Sequence, residues 1–431
     1  MSSHGTRFVS KSIGIAMGWL YWYSFEMIVA YEVTAASLVI NYWPNNIHIA
    51  VWITLMLFVI ICLNMAPVKW YAESEFWFAS LKVPMILGLL LLAFIMADPG
   101  AMNAYLVEGT GGRFYAFIYA LAFSMFSFNF GPELIVLTSG EMRSPRKNLP
   151  TAAKKFVWRL ITFYALSSLA ISVICRSDAP GLTDGGYGAA ASPWVIAIKQ
   201  SGIRVLDSII NGGIILSEWS SGNSILYMSS RSLYSMAKSG NAPAIFARCN
   251  RWGVPVYATL ASALFSPLAY LNVGNSTSQV FNWFINMTNT AGFTSWVCCC
   301  IILLRFRKAC KAQGVTDIPF QPFLQPYASW ICMVFFICLL GLNGFSVFFP
   351  GHWSISGFLT AYIGLPIFLA NYGGHRIYQW SESWIIDLSE VDLHTGLGAI
   401  KSLEEEEIER EVPEKTGVKA RAWRVVKSLW E

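Results

Sequence analysis

The chain alternates between long apolar runs and short polar breaks. Ten runs stand out: Ile13–Tyr42, Ile49–Met65, Phe76–Met96, Phe114–Leu137, Phe156–Cys175, Val205–Met236, Val256–Leu271, Val280–Leu304, Tyr327–Phe349 and Ile355–Tyr372. A helix needs about 20 apolar residues to cross the hydrocarbon layer of a bilayer. The pattern therefore predicts an all-α, polytopic membrane protein of about ten transmembrane helices. Residues 1–12 precede the membrane domain, 13–372 span it, and 373–431 form a polar tail. The run Val205–Met236 is too long for one straight span and is crowded with Ser, Gly and Asn, so it is expected to tilt or to bend at Gly222.

Composition agrees with lipid as the main solvent. Of 431 residues, 55% are hydrophobic and 13% charged, and mean hydropathy is +0.49. Soluble domains carry about 25% charged residues. The first run is too long for a cleaved signal peptide and reads as a signal anchor.

Placing Met1 on the cytosolic side puts 17 Lys and Arg in or beside inside loops, among them Lys69, Arg143, Lys155, Arg231 and Arg305. Four (Arg113, Arg176, Lys199 and Arg204) fall outside. This positive-inside bias predicts cytosolic termini. Of nine cysteines, Cys62, Cys298, Cys299, Cys300, Cys332 and Cys338 lie in apolar runs, and no C-x-x-C occurs. Neither a disulfide framework nor a zinc site is expected.

The tail holds an acidic stretch, Glu404–Glu411, then a weak basic amphipathic pattern from Lys415 to Glu431, and is expected to be solvated. Its Lys401, Lys415, Lys419 and Lys427 are candidate modification sites, which makes ubiquitin-ligase adaptors candidate partners.

Catalytic signatures are missing. The five histidines have no i,i+4 partner, and H-E-x-x-H, G-x-S-x-G and P-loop patterns do not occur. Gly109–Gly112 is read as a loop, not a phosphate cradle. The expectation is a non-enzyme without cofactor, metal or nucleic-acid partner.

What remains is charge and broken backbone inside the membrane. An unpaired ionisable group at the bilayer centre costs at least about 2.5–3.5 kcal/mol. Glu26, Glu32, Lys82 and Glu218 all fall inside apolar runs. Lys82, about two turns into its run, either snorkels to the surface or is buried and exchanges protons. Glu32 is similarly far from both ends of its run and calls for a partner or a wet crevice. The fourth run contains Phe126-Ser127-Phe128-Asn129-Phe130-Gly131-Pro132-Glu133. Proline inside a span removes a backbone hydrogen bond. Freed backbone is tolerated in lipid only when buried in protein or lining a cavity. A simple proline kink and a discontinuous, substrate-binding helix both satisfy this pattern.

Several motifs then resemble one family. Glu141-Met142-Arg143-Ser144-Pro145-Arg146-Lys147-Asn148-Leu149-Pro150 is similar to the G-E-x-x-N-P-R-K-x-I-P loop of amino-acid permeases of the amino acid–polyamine–organocation superfamily. Ser192–Lys199, Gly222-Asn223-Ser224 with Ser230-Arg231, Gly240–Pro243 and Asn250–Pro255 resemble its fungal branch.

The resemblance covers Ile13–Tyr372 and implies two inverted five-helix repeats plus two helices. It implies proton-coupled import of an amino acid at the plasma membrane. Counted from the Glu141 loop, the first run corresponds to family helix 3 and the fourth to family helix 6. By resemblance, Phe126, Ser127, Phe128, Asn129, Gly131 and Glu133 form the unwound, substrate-facing segment. Glu32 and Asn223 join them, and Lys82 is the proton-coupling residue.

Departures follow from the same comparison. Family helices 1 and 2, with the small-residue break that receives the substrate carboxylate, have no counterpart. Pro132 replaces a common Thr, Ser144 an Asn, and Glu218 a small residue. The chain as written is thus expected to insert without accumulating substrate, either as a real truncation or through a gene model that missed an upstream exon. A working transporter, a truncated non-transporting product and a nutrient sensor or assembly partner stay open.

Overall fold

The computed structural model describes residues 1–44, 46–96, 110–128, 131–138, 145–179, 192–203, 205–274, 277–315, 318, 324–396, 398 and 402. Every element among them is helical. In chain order these are α1 (Ser2–Phe8), α2 (Lys11–Ile40), α3 (Ile49–Met65), α4 (Val68–Ile95), α5 (Thr110–Ser124), α6 (Gly131–Thr138), α7 (Pro145–Ile174) and α8 (Pro193–Gln200). They continue with α9 (Leu206–Lys238), α10 (Val256–Ala263), α11 (Leu271–Gly274), α12 (Thr277–Ala312), α13 (Tyr327–Leu342), α14 (Ile355–Tyr362) and α15 (Gly364–Tyr378).

Each of the ten apolar runs coincides with a helix or a broken helix. Six helical spans among the described residues are long and apolar enough to cross a membrane. The pair α14–α15, bent by 52°, makes a seventh, and α3 and α13 are shorter apolar helices. The tenth run is α9, whose 33 residues carry many Ser, Gly and Asn.

Helix ends follow local chemistry. Ser10 caps α2 by accepting the Ile13 N–H at 3.3 Å, and Ser354 caps α14 by accepting that of Gly357 at 3.0 Å. Within α2, Ser24, Thr34 and Ser37 donate to carbonyls one turn back at 2.7–2.8 Å. These bonds hide hydroxyls that lipid would not solvate. Gly14 lets α1 fold flat on α2, since a Cβ there would sit 2.6 Å from the Thr6 amide nitrogen. α2 and α9 run against each other along most of their length, and α12 packs on the other side of α2. Phe25, Phe284 and Phe293 are among the largest fully buried side chains of this core.

Several expectations change. Residues 1–11 are not merely polar: Ser2–Phe8 is a helix with Gly5 and Phe8 buried. Thr110–Gly112 opens α5 rather than belonging to a loop. α9 runs unbroken through Gly222. Glu32 is not midway along its helix: it lies 21 residues after Lys11 and eight before Ile40.

α4 starts at Val68, so Lys82 sits 14 residues in, about 21 Å along the axis. The polar Lys69–Glu75 stretch masked this first part of the helix. The polar tail does not begin at Gly373, since α15 continues to Tyr378 and residues beyond it fold back on the bundle. The Glu141 loop up to Ser144 and the tail from residue 403 lie outside the described residues.

Candidate functional site

The fourth apolar run is an interrupted helix. α5 ends at Ser124, one turn of tighter 3-10 helix covers Met125–Phe128, and helix resumes at Gly131. Pro132 therefore stands in the first turn of α6, where an absent N–H leaves no intrahelical bond unmade. A Cβ on Gly131 would lie 2.8 Å from Phe156 Cζ, so only glycine allows this approach of α6 to α7. Phe126 packs on Tyr31 of α2 with ring centroids 4.5 Å apart. The Ser127 carbonyl accepts the Tyr164 hydroxyl at 3.0 Å, and Phe128 packs on the same tyrosine ring. Asn129 and Phe130 lie outside the described residues.

Glu133 follows in the first turn of α6, where a carboxylate complements the helix N-terminus. It is buried and accepts from Trp296 Nε1 at 2.8 Å and the Tyr21 hydroxyl at 3.3 Å. Its second oxygen has no hydrogen-bond partner among the described residues. Glu133, Phe128, Pro132, Trp296 and Cys299 line a cleft of about 630 Å³ among the Met125–Phe128 turn, α6, α7, α12 and α13, with mostly apolar walls. That volume lies within the range of small-molecule sites, about 300–1,000 Å³.

A second group lies in the seam between α2 and α9. Glu32 is 8% exposed and accepts the Ser221 hydroxyl at 2.6 Å. Gly222 makes this contact possible, because a Cβ there would stand 3.3 Å from Glu32 Cβ. Glu218, one turn before Ser221, and Lys82 of α4 are the charged side chains acting on Glu32. Lys82 itself is half-buried and forms no ion pair among the described residues.

Further along α2, buried Glu26 accepts the Ser229 hydroxyl. Ser229 contacts Ser262 at 3.0 Å, and Trp22 Nε1 donates to Ser262 at 3.0 Å. Asn223 faces α3, where Asn64 Nδ2 donates to its Oδ1 at 2.9 Å. The structure thus joins Phe126 to α2 through Tyr31, whose neighbour in sequence is Glu32. It places Glu133 on the open cleft, whereas neither Glu32 nor Lys82 lines that cleft. The partner hydroxyls Ser221, Ser229 and Ser262 escaped sequence reading. Only the density of serine in α9 hinted at them.

An interrupted span, buried acids and an all-helical membrane bundle fit a solute carrier, and the comparison with known families decides which one. The amino acid permease model matches residues 1–382. The chain belongs to the amino acid permease family. It is a fungal-type permease of the amino acid–polyamine–organocation superfamily, a multi-pass membrane transporter of amino acids and not an enzyme.

This permease is 45% identical over 426 residues to the proline-specific permease of Emericella nidulans, covering 94% of this chain and 77% of that relative. It is 43% identical over 432 residues to the proline-specific permease of Saccharomyces cerevisiae, covering 95% and 68%. To the dicarboxylic amino acid permease of Saccharomyces cerevisiae it is 37% identical over 431 residues, covering 94% and 70%.

Proposed function

We propose that this permease imports proline, or a neutral amino acid of similar size, across the plasma membrane together with a proton, with both ends of the chain in the cytosol. The observation that carries the substrate is the gradient of similarity. Two proline-specific permeases stand at 45% and 43% identity, above a dicarboxylic amino acid permease at 37%. The apolar cleft beside Phe128 and Glu133 agrees with a small substrate that has no charged side chain.

In this reading the 3-10 turn at Met125–Phe128, ahead of α6, presents backbone polar groups to the substrate, as discontinuous helices do in secondary transporters. Lys82, midway along α4 and acting on Glu32, supplies the exchangeable charge. The excess of Lys and Arg in alternate loops orients the chain.

Uptake of labelled proline into cells expressing the protein tests both halves. Proline should accumulate above an empty-vector control, the reverse of the no-accumulation expectation drawn from the sequence, and resist competition by glutamate. Preferential uptake of glutamate, or no uptake, overturns the substrate assignment. Lys82→Ala should abolish uphill accumulation driven by a pH gradient, and unchanged uphill uptake excludes the coupling role.

A further inference from the structure

The segment after α15 does not leave the bundle. Residues 379–395 lack regular helix, yet they bind three elements at one end of the molecule. The Ile386 N–H donates to the Val9 carbonyl at 3.0 Å, just beyond α1. Arg305 of α12 donates to the Phe8 carbonyl at 2.9 Å and also to the Ile386 carbonyl. Gln313, just past α12, donates to the carbonyls of Leu388 at 3.0 Å and Val391 at 2.8 Å. Lys11 at the start of α2 reaches Glu382 at 3.4 Å, and Arg7 of α1 pairs with Asp392 at 3.3 Å. Beneath these polar clasps, Val391 and Leu393 are buried against Phe8, Val9 and Cys310.

α1, which the segment pins, lies over a small cavity. Ser2 and Ser3 line it on one side, and Tyr21, Phe25 and Glu133 line it on the other. We propose that residues 379–395 are a reversible strap that holds α1 against α2 and α12 and so keeps this end of the route to Glu133 closed.

The energetics favour reversibility. Its ion pairs are partly exposed, and such pairs contribute little and are weakened by salt. The clasp at Arg305 and the apolar seat of Val391 and Leu393, with Ile386 and Leu388 half-buried beside them, carry most of the hold. A segment with so few buried contacts opens at far lower free energy than the helices beneath it. Acidic strap residues Glu382 and Asp392 meet basic Lys11 and Arg7, so charge guides it back to one register.

Cys310 is a reporter already in place. It is 3% exposed beneath the strap, while Cys249 is exposed elsewhere. A water-soluble maleimide applied to membranes with that face open, followed by peptide mass spectrometry, should label Cys310 slowly and Cys249 fast. Arg305→Ala or Val391→Asp should speed Cys310 labelling by about tenfold or more, with Cys249 unchanged as a check on folding. A disulfide between V9C and I386C should slow Cys310 labelling below the parent rate, lower amino-acid uptake, and lose both effects on reduction. The proposal is overturned if Cys310 labels as fast as Cys249 in the parent, or if neither unseating variant speeds it. It is equally overturned if the disulfide leaves labelling and uptake unchanged. These labelling outcomes do not depend on which amino acid is carried or on proton coupling.

Discussion

The helices around α2 and those from α4 to α7 occupy the same chain in opposite ways. Within its most apolar window, α2 is 83% buried and α12 is 61% buried, whereas α4 reaches 12% and both the Gly112–Glu133 span and α7 reach 6%. Hydropathy does not follow burial: it is 2.2 for α4 and 1.3 for both α2 and the Gly112–Glu133 span. In water the most apolar helix would be innermost. Here the outer helices meet lipid tails, which welcome Phe94 and Leu91, while the inner ones hold the groups lipid refuses. Glu32, Asn64 and Asn223 are buried among α2, α3 and α9, and Glu26 is buried where α2 and α9 meet Ser262 of α10. Burial in this protein therefore sorts side chains by what they cannot show to lipid, and polar, small-residue surfaces make the helix contacts.

The largest effect that could break this contrast comes from matched truncations. Phe293 is fully buried beside Ala122 and Leu339, and Phe94 is 85% exposed. Phe293→Ala should destabilise by about 3–5 kcal/mol through the cavity it leaves. Phe94→Ala should change stability by less than about 0.5 kcal/mol. Thermal denaturation of the detergent-solubilised protein measures both. Equal losses at the two positions would mean that α4 packs as tightly as α12.

A smaller effect probes the seam itself. Gly222→Val adds bulk where a Cβ already stands 3.3 Å from Glu32 Cβ and 3.4 Å from Ile60 Cδ1. Overpacking of this kind costs about 1–3 kcal/mol. Gly88→Val on α4, where nothing lies within 4 Å of the added Cβ, should be nearly silent in the same denaturation assay. Stability unchanged by Gly222→Val would show that α2 and α9 do not need this close approach.

The contrast also explains what the sequence could reveal. The ten apolar runs were legible because lipid favours long apolar segments whether the helix ends up inside or outside, and seven spans among the described residues, counting the bent α14–α15 pair, are long and apolar enough to cross. Glu32 and Glu133 were legible as charges that lipid would reject. Their partners were not, because Ser221 and Trp296 lie 189 and 163 residues away along the chain and reach them only through helix packing. The start of α4 was not legible, because Lys69, Glu73 and Glu75 place its first turns in a polar-looking stretch. The strap escaped for a related reason. Val391 and Leu393 are isolated apolar residues in a polar segment, and periodicity gives no sign that both sit in one groove.

The finest test asks whether polar contacts also differ between the two regions. Asn64 and Asn223 are 1% and 0% exposed, and the 2.9 Å bond between their side chains joins α3 to α9. A double-mutant cycle with Asn64→Ala and Asn223→Ala isolates their coupling from the losses each substitution causes alone. Hydrogen bonds between helices in lipid average about 0.6 kcal/mol, because the separated helices find other partners. The coupling here should reach or exceed that value, since the pair is sealed among α2, α3 and α9 and Asn64 also donates to the Asn223 carbonyl at 3.3 Å. In the loose region, Tyr164 donates to the Ser127 carbonyl at 3.0 Å from an exposed position. Tyr164→Phe should shift the denaturation midpoint less than either asparagine change. A coupling near zero for the asparagines, or a larger loss at Tyr164, would mean that polar contacts hold the outer helices as firmly as the inner ones. The outward-facing half would then have to be read as part of the core.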